Sequence, residues 1–257
     1  MRDPHVCSIH YEVRPSDEGI SYRNPEPVSF TNYLGAFDLS DGKLRVVPAE
    51  HFPNEIDARQ AVEPFLRAWE IKADLTSHIG MICFKFVGAE VIDRNPPPPG
   101  SPQVIEVSGT SMATASCSGS LHLTCSKYPQ PPKTFRATPE VQHAYRRWMG
   151  YRLGKEPLLS MANFVLTYFE QATGGRKKAA QTLHIGMKVL RKIGELNSKK
   201  GDESTARKAP RGNKFQELSD SEKQWLEETI CRVIYRFGEH ASGSPLPLIS
   251  LRDLPSL

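Results

Sequence analysis

Residues 157–169, PLLSMANFVLTYF, place apolar side chains on nearly every side of a 3.6-residue helical period. Only Asn163 and Thr167, with the following Glu170, form a narrow polar strip along this helix. A helix that is apolar all round is a buried helix, and Pro157 suits the first helical position, where an N–H has no partner. The stretch is too short for a bilayer, which needs about 20 apolar residues. We therefore expect the central helix of a soluble bundle.

Three further helices are predicted around this one. The first covers residues 139–153, and the second covers residues 176–197 with an apolar stripe along one side. The third begins at a capping box made by Ser219 and Glu222 and continues to Gly238. Four helices with short connections indicate an antiparallel four-helix bundle.

The first half of the chain has the pattern of a β-rich domain. Residues 5–13 alternate between apolar and polar side chains, which predicts a half-buried strand with Cys7 on its inner face. In residues 36–47, AFDLSDGKLRVV, Asp41 and Gly42 supply the two positive-φ residues of a type I′ hairpin turn. Further strands are expected at residues 79–87, 89–93, 103–107, 111–117 and 120–125.

One main helix is predicted within this β-rich half. Asn54 caps its start, and Pro64 falls inside it. A proline inside a helix removes a hydrogen bond and clashes with the preceding turn, so we expect a kink or a restart there. Residues 95–100, NPPPPG, predict a short polyproline II spacer later in the domain.

The predicted fold class is therefore α+β, with a β-rich domain that has one main helix, followed by the four-helix bundle. Prolines in the segment KYPQPPKTF mark the change from strand-forming to helix-forming composition. The predicted divisions are a β-rich α+β domain at residues 1–128, a proline-rich linker at 129–137, the bundle at 138–240 and an extended tail at 241–257.

Charge is distributed unevenly along the chain. Residues 1–126 have 10 Lys and Arg against 16 Asp and Glu, whereas residues 127–257 have 23 against 13. Such an asymmetry concerns partners rather than fold, and it favours an acidic partner for the second half. The two halves could equally attract each other.

Cysteine usage and the N-terminal residues bear on the cellular environment. The five cysteines are scattered and contain no C-x-x-C pair, which is typical of reduced thiols. The start MRDPHVCS has no apolar segment of a secretory signal. Cys117, His122 and Cys125 lack the spacing of zinc ligands. We expect a cytoplasmic protein with no membrane association, no metal site and no cofactor.

The segment TGGRKK, residues 173–178, predicts a phosphate-binding site. Gly174 and Gly175 could expose backbone N–H groups at the start of a helix, and Arg176, Lys177 and Lys178 add positive charge there. A flexible glycine turn with solvated lysines is the alternative interpretation. The spacing is not that of a P-loop, so nothing indicates a nucleoside triphosphatase.

The same predicted helix continues the basic pattern. Side chains recur on one face at three- and four-residue spacing, namely Lys177, Gln181, His184, Lys188 and Arg191 or Lys192. The following loop adds Lys199, Lys200, Arg207, Lys208, Arg211 and Lys214. A basic ridge of this kind would bind a phosphate backbone, although runs of charge are also common on solvated faces.

The last predicted helix ends with Arg232, Arg236, Glu239 and His240 on or near one face. With the helical architecture of residues 138–240, the segment Arg236-Phe-Gly-Glu-His240 weakly resembles the HEPN family of bacterial helical bundles, many of which are metal-independent ribonucleases of defence and toxin systems. The family's motif has one residue more, and a polar residue where Phe237 stands. The resemblance implies that Arg236 stabilises a phosphate transition state and that His240 acts as acid or base. The alternative is that cations decorate a helix C-terminus, where they suit the dipole.

Two functional hypotheses follow from the sequence. The first is a bacterial-type cytoplasmic protein that binds RNA or DNA through its basic helical domain, with ribonuclease activity as the HEPN resemblance implies. The second is a non-enzymatic interaction or scaffold module whose basic bundle contacts an acidic protein surface. The sequence decides neither whether the protein is an enzyme nor its oligomeric state.

Overall fold

The computed structural model describes residues 3–95, 123–201 and 216–257. The chain divides into two compact units, Met1–Pro132 and Lys133–Leu257. Strands and helices are mixed, with the strands in the first unit and most helices in the second, in accord with the predicted α+β class. The predicted spacer at residues 95–100, the strands at 103–107 and 111–117, and the loop cations 207–214 lie wholly or mostly outside the described residues.

The first unit contains two sheets and one long helix. An antiparallel five-stranded sheet has the order β3-β4-β5-β1-β6, and β2 and β7 form a separate parallel pair. The elements are β1 (Pro4–Arg14), β2 (Ile20–Glu26), β3 (Val28–Asn32), β4 (Gly35–Ser40), β5 (Lys43–Pro48), α1 (Glu55–Thr76), β6 (Cys83–Asp93) and β7 (Leu123–Lys127).

The predicted hairpin is confirmed in its register and its turn. Asp41 and Gly42 have φ of 48° and 71°, and Asp38 lies opposite Arg45 in the pairing of β4 with β5. The inward side chains of both strands join those of β1 and α1 in one core, in which Trp69 of α1 is fully buried. Local turn chemistry was sufficient here because two residues set the pairing of the strands.

Several details of the first unit differ from the sequence prediction. Helix α1 runs without a restart past Pro64. The strands predicted at residues 79–87 and 89–93 are the single strand β6. A register irregularity between Val6 and Ser8 turns the buried face, so Val6 lies in the core and Cys7 contacts the Glu90 carbonyl oxygen instead. A β-bulge inserts one residue and so exchanges the two faces of a strand.

The second unit is helical. Its elements are α2 (Pro139–Arg152), α3 (Leu158–Thr173), α4 (Arg176–Thr182), α5 (Met187–Lys199), α6 (Asp220–Ala241) and a short 3₁₀ helix (Leu251–Asp253). Helix α3, the stretch quoted at the outset, contacts all four of the other α-helices. Pro157 precedes it as the N-cap residue rather than occupying the first helical position. The capping box of Ser219 and Glu222 is present at the start of α6.

The predicted helix over residues 176–197 is two helices, and the four-helix bundle is therefore not confirmed. The chain leaves the helical path at residues 183–186, where His184 has φ of 49°. The reason is a contact distant in sequence: the Gly186 N–H donates to the Ile249 carbonyl oxygen at 2.7 Å, and the Ile249 N–H donates to the His184 carbonyl oxygen at 2.9 Å. Backbone groups that would have continued the helix are bonded to the C-terminal tail instead.

Two further predictions for the second unit need correction. Helix α6 does not end at Gly238 but continues to Ala241. Gly238 serves packing, because a Cβ there would lie 2.2 Å from the Phe135 ring. The tail is not simply extended, since it forms the 3₁₀ helix and buries Ile249 and Leu254.

Candidate nucleic-acid interface

The glycine pair that precedes α4 joins two helices. Gly174 and Gly175 have φ of 84° and 111°, conformations that glycine adopts without strain. The Gly174 N–H donates to the Gln171 carbonyl oxygen, and the Gly175 N–H donates to the Glu170 carbonyl oxygen. These donors complete the C-terminus of α3. Binding of phosphate by Gly174 and Gly175 stays a prediction, and the basic residues that follow do not depend on it.

Arg176 has an internal partner. Its guanidinium pairs with the Glu170 carboxylate on α3. It also lies against α5, where a Cβ on Gly194 would be 3.1 Å from an Arg176 nitrogen. Arg176 therefore links α3, α4 and α5, and the missing side chain of Gly194 makes room for that link.

Four other cations of this region are exposed and free of ion pairs. Lys177 and Lys178 lie on α4, and Lys188 and Arg191 lie on α5; none of the four pairs with a carboxylate among the described residues. We call these four residues the basic set. Residues 171–194 contain no Asp or Glu, so no acidic side chain of this segment offsets their charge. Gln181 and His184, from the predicted ridge, are exposed as well.

The opposite side of the same segment anchors it to the core. Ala179, Leu183 and Ile185 are each at most 2% exposed, and α5 buries Val189, Leu190 and Ile193. Exposed and buried residues therefore alternate at helical spacing in both helices. Burial of the apolar side fixes which side of each helix presents its cations to solvent.

The basic character of α5 ends at Glu195. Its carboxylate accepts a hydrogen bond from Lys199 at 3.1 Å and lies 3.7 Å from the Lys192 ammonium. The hydrogen bond from Lys199, together with the charges of Lys192 and Lys199, lowers the pKa of Glu195. Lys188 and Arg191, in the first two turns of α5, are therefore the cations of this helix that Glu195 does not compensate.

The two predicted catalytic residues are neighbours on α6 but have different environments. Arg236 is 5% exposed, and its guanidinium donates to the Glu239 carboxylate at 2.9 Å, to the Leu183 carbonyl oxygen at 3.3 Å and to the Pro247 carbonyl oxygen. His240 is exposed in the last turn of the helix. Arg236 thus ties α6 to the turn before α5 and to the tail. Its catalytic role and that of His240 stay predictions.

A serine, a histidine and a glutamate meet in the first unit, a group that the sequence did not suggest. The Ser8 hydroxyl lies 2.9 Å from His10 Nε2 and donates to the Glu90 carboxylate at 2.7 Å. Glu90 also approaches the same His10 nitrogen, at 3.5 Å. A hydrolytic triad needs the acid on the other ring nitrogen, and Ser8 is fully buried. The group is a hydrogen-bond network between β1 and β6, with Ser8 buried and the Glu90 carboxylate exposed.

Metal ligands and membrane spans were also sought among the described residues. Within these ranges no three His, Cys, Asp or Glu side chains gather as a metal site would require. No helix there is both long and apolar enough to cross a bilayer.

Sequence reasoning missed the break between α4 and α5. The signal was present in the apolar pattern, because Leu183 and Ile185 are two residues apart and cannot share one face of a continuous helix. The tail that holds the turn is more than sixty residues away in sequence, beyond the reach of any local pattern.

Comparison of the chain with models of protein families, with curated proteins and with solved structures finds no match.

Proposed function

We propose that the basic set on α4 and α5 binds nucleic acid, RNA or DNA, through the phosphate backbone. The observation that carries the proposal is the exposure of Lys177, Lys178, Lys188 and Arg191 in a segment with no acidic residue. Cations without internal partners can neutralise phosphates and release their counterions, which is the main source of non-specific affinity for nucleic acid.

Four arginines of the same unit differ from the basic set in their partners. Arg147, Arg176, Arg232 and Arg236 each pair with a glutamate. An arginine that is held in this way would first have to give up a carboxylate in order to bind a phosphate. The basic set has no such cost among its described neighbours.

The test is a fluorescence-anisotropy titration with labelled duplex DNA, single-stranded DNA and single-stranded RNA at low salt. The variant replaces Lys177, Lys178, Lys188 and Arg191 with alanine. A matched control removes three lysines and one arginine from elsewhere in the same unit, namely Lys133, Arg146, Lys155 and Lys223. We expect the variant to lose most of its affinity and the control to keep it, with circular dichroism showing that both are folded.

Two outcomes would contradict the proposal. Equal weakening in both variants would mean that net charge alone attracts the probe, and absence of binding at low salt would favour the acidic protein partner. The ribonuclease hypothesis is tested with the same labelled RNA. Cleavage by the wild-type chain, and its loss in a His240→Ala variant, would support the hypothesis. Binding without cleavage would leave a binding module.

A further inference from the structure

We propose that α4, the turn at residues 183–186 and α5 form a helix–turn–helix that binds double-stranded DNA with α5 in the major groove. This inference rests on the proposed function and specifies its ligand. The sequence had predicted a single helix here, whose ridge would follow any phosphate backbone. Two helices separated by a turn instead lead us to expect that the second helix enters a groove.

The connection between the helices has the form that this motif requires. A helix–turn–helix joins two helices by a turn of three or four residues that often contains glycine. Here α4 ends at Thr182 and α5 begins at Met187, with Gly186 as the residue before α5. Leu183 and Ile185 point into the core from within the turn, so both helices are anchored at the point where they meet.

The charges have the distribution expected of a second helix that enters a groove. In such motifs the N-terminal part of the second helix contacts base edges, and the first helix lies across the backbone. Lys188 and Arg191 occupy the first two turns of α5 and are exposed, and Lys177 and Lys178 are exposed on α4. An arginine can donate two hydrogen bonds to guanine, so Arg191 is the residue best suited to contact a base.

Contacts from α6 and the tail hold the turn in place. Arg236 donates to the Leu183 carbonyl oxygen, and Ile185 pairs with Ile249 as an isolated parallel bridge. The turn is therefore bonded on both sides to segments distant in sequence. A rigid turn keeps α5 in a fixed direction, which insertion into a groove requires and which flexible attraction to phosphates does not.

The dimensions of the grooves give the inference a discriminating consequence. The major groove of B-form DNA is about 12 Å wide and admits an α-helix. The major groove of duplex RNA is deep and too narrow for side chains to read. A protein that only neutralises phosphates would bind both duplexes, whereas insertion of α5 should favour DNA.

The experiment compares three probes of one sequence: duplex DNA, duplex RNA, and duplex DNA in which glucosylated 5-hydroxymethylcytosine fills the major groove. We expect the wild-type chain to bind plain DNA about tenfold more tightly than either of the other probes, given the value of one good base contact. An Arg191→Ala variant should lose about tenfold on plain DNA and much less on glucosylated DNA. Arg146→Ala, a matched control on α2, should behave as the wild type does.

The outcomes separate this inference from the proposed function. Equal affinity for all three probes, with the basic set still required, would overturn the groove inference and leave phosphate binding intact. Failure to bind any probe at low salt would overturn both. The groove inference would be supported if Arg191→Ala weakens binding to plain DNA and Arg146→Ala does not. The melting temperature of the Arg191→Ala variant should be unchanged.

Discussion

Arg236 near the end of α6 and the cations of the basic set have the same charge but opposite surroundings. Arg236 is buried, paired with Glu239 and bonded to two backbone carbonyls. Lys188 and Arg191 are exposed and have no carboxylate partner among the described residues. The difference teaches that a motif of basic residues does not by itself identify a binding site. The partners of each side chain decide whether its charge serves the fold or a ligand.

The largest effect should come from removing Arg236. We expect Arg236→Ala to lower the free energy of unfolding by about 3 kcal/mol, because Glu239 and two carbonyl oxygens lose a charged donor. Urea denaturation measures this change. Arg232→Ala, which breaks a largely exposed pair with Glu228 and an exposed hydrogen bond to the Asp253 carbonyl oxygen, is the control and should cost at most about 1 kcal/mol. Equal losses of unfolding free energy in the two variants would contradict the contrast between a buried arginine and an exposed one.

Gly238→Ala tests whether the end of α6 is a packing surface. The new Cβ would lie 2.2 Å from the Phe135 ring, and overpacking of this kind costs about 1–3 kcal/mol. Alanine is the better helix former by about 1 kcal/mol, so we expect a net loss of up to about 2 kcal/mol. Gly150→Ala on α2, where a Cβ meets only the Glu156 side chain, at 3.5 and 3.8 Å, should be neutral or stabilising. A stable Gly238→Ala protein would show that Phe135 moves freely.

The turn before α5 can be tested through His184. Its φ of 49° lies in the left-handed region, where a β-branched side chain is strained. We expect His184→Val to lose about 1–2 kcal/mol of stability, and His184→Asn to lose less, because asparagine tolerates this conformation. Thermal denaturation of the two variants provides the comparison. Equal stability would mean that the turn can refold into the continuous helix that the sequence pattern predicted.

The smallest effect on stability should come from the basic set. Lys188→Ala/Arg191→Ala removes exposed side chains with no partner among the described residues, and such substitutions usually change stability by less than about 0.5 kcal/mol. The same thermal denaturation measures it. A loss as large as that of Arg236→Ala would mean that these cations are part of the fold.

The features that the sequence predicted correctly depend on residues close in sequence, and those that it missed depend on distant contacts. The hairpin at Asp41 and Gly42 was predicted in register because its turn residues act on their immediate neighbours. The capping box at Ser219 and the buried helix α3 were predicted for the same local reason. The bulge beside Val6 and the packing role of Gly238 depend on partners distant in sequence, and local patterns do not contain that information.

The candidate site was predicted in its composition but not in its shape. The sequence identified Lys177, Lys178, Lys188 and Arg191 as basic residues with a common role. It placed them on one helix, because the periodicity of charges continues across the turn. The bonds of His184 and Gly186 to Ile249 explain why two helices carry them. Arg236 was chosen as catalytic from its neighbours in sequence, and its burial could not be foreseen from them.

The most direct test of the central claim is the salt dependence of binding to duplex DNA. If Lys177, Lys178 and Lys188 each neutralise one phosphate while Arg191 contacts a base, the logarithm of the association constant should fall against the logarithm of the salt concentration with a slope of about −2.7. This corresponds to a loss of about 40-fold in affinity between about 50 and 200 mM salt. The variant that lacks the basic set should bind weakly with a slope near zero. A variant with the wild-type slope would contradict the account, because the phosphate contacts would then lie elsewhere.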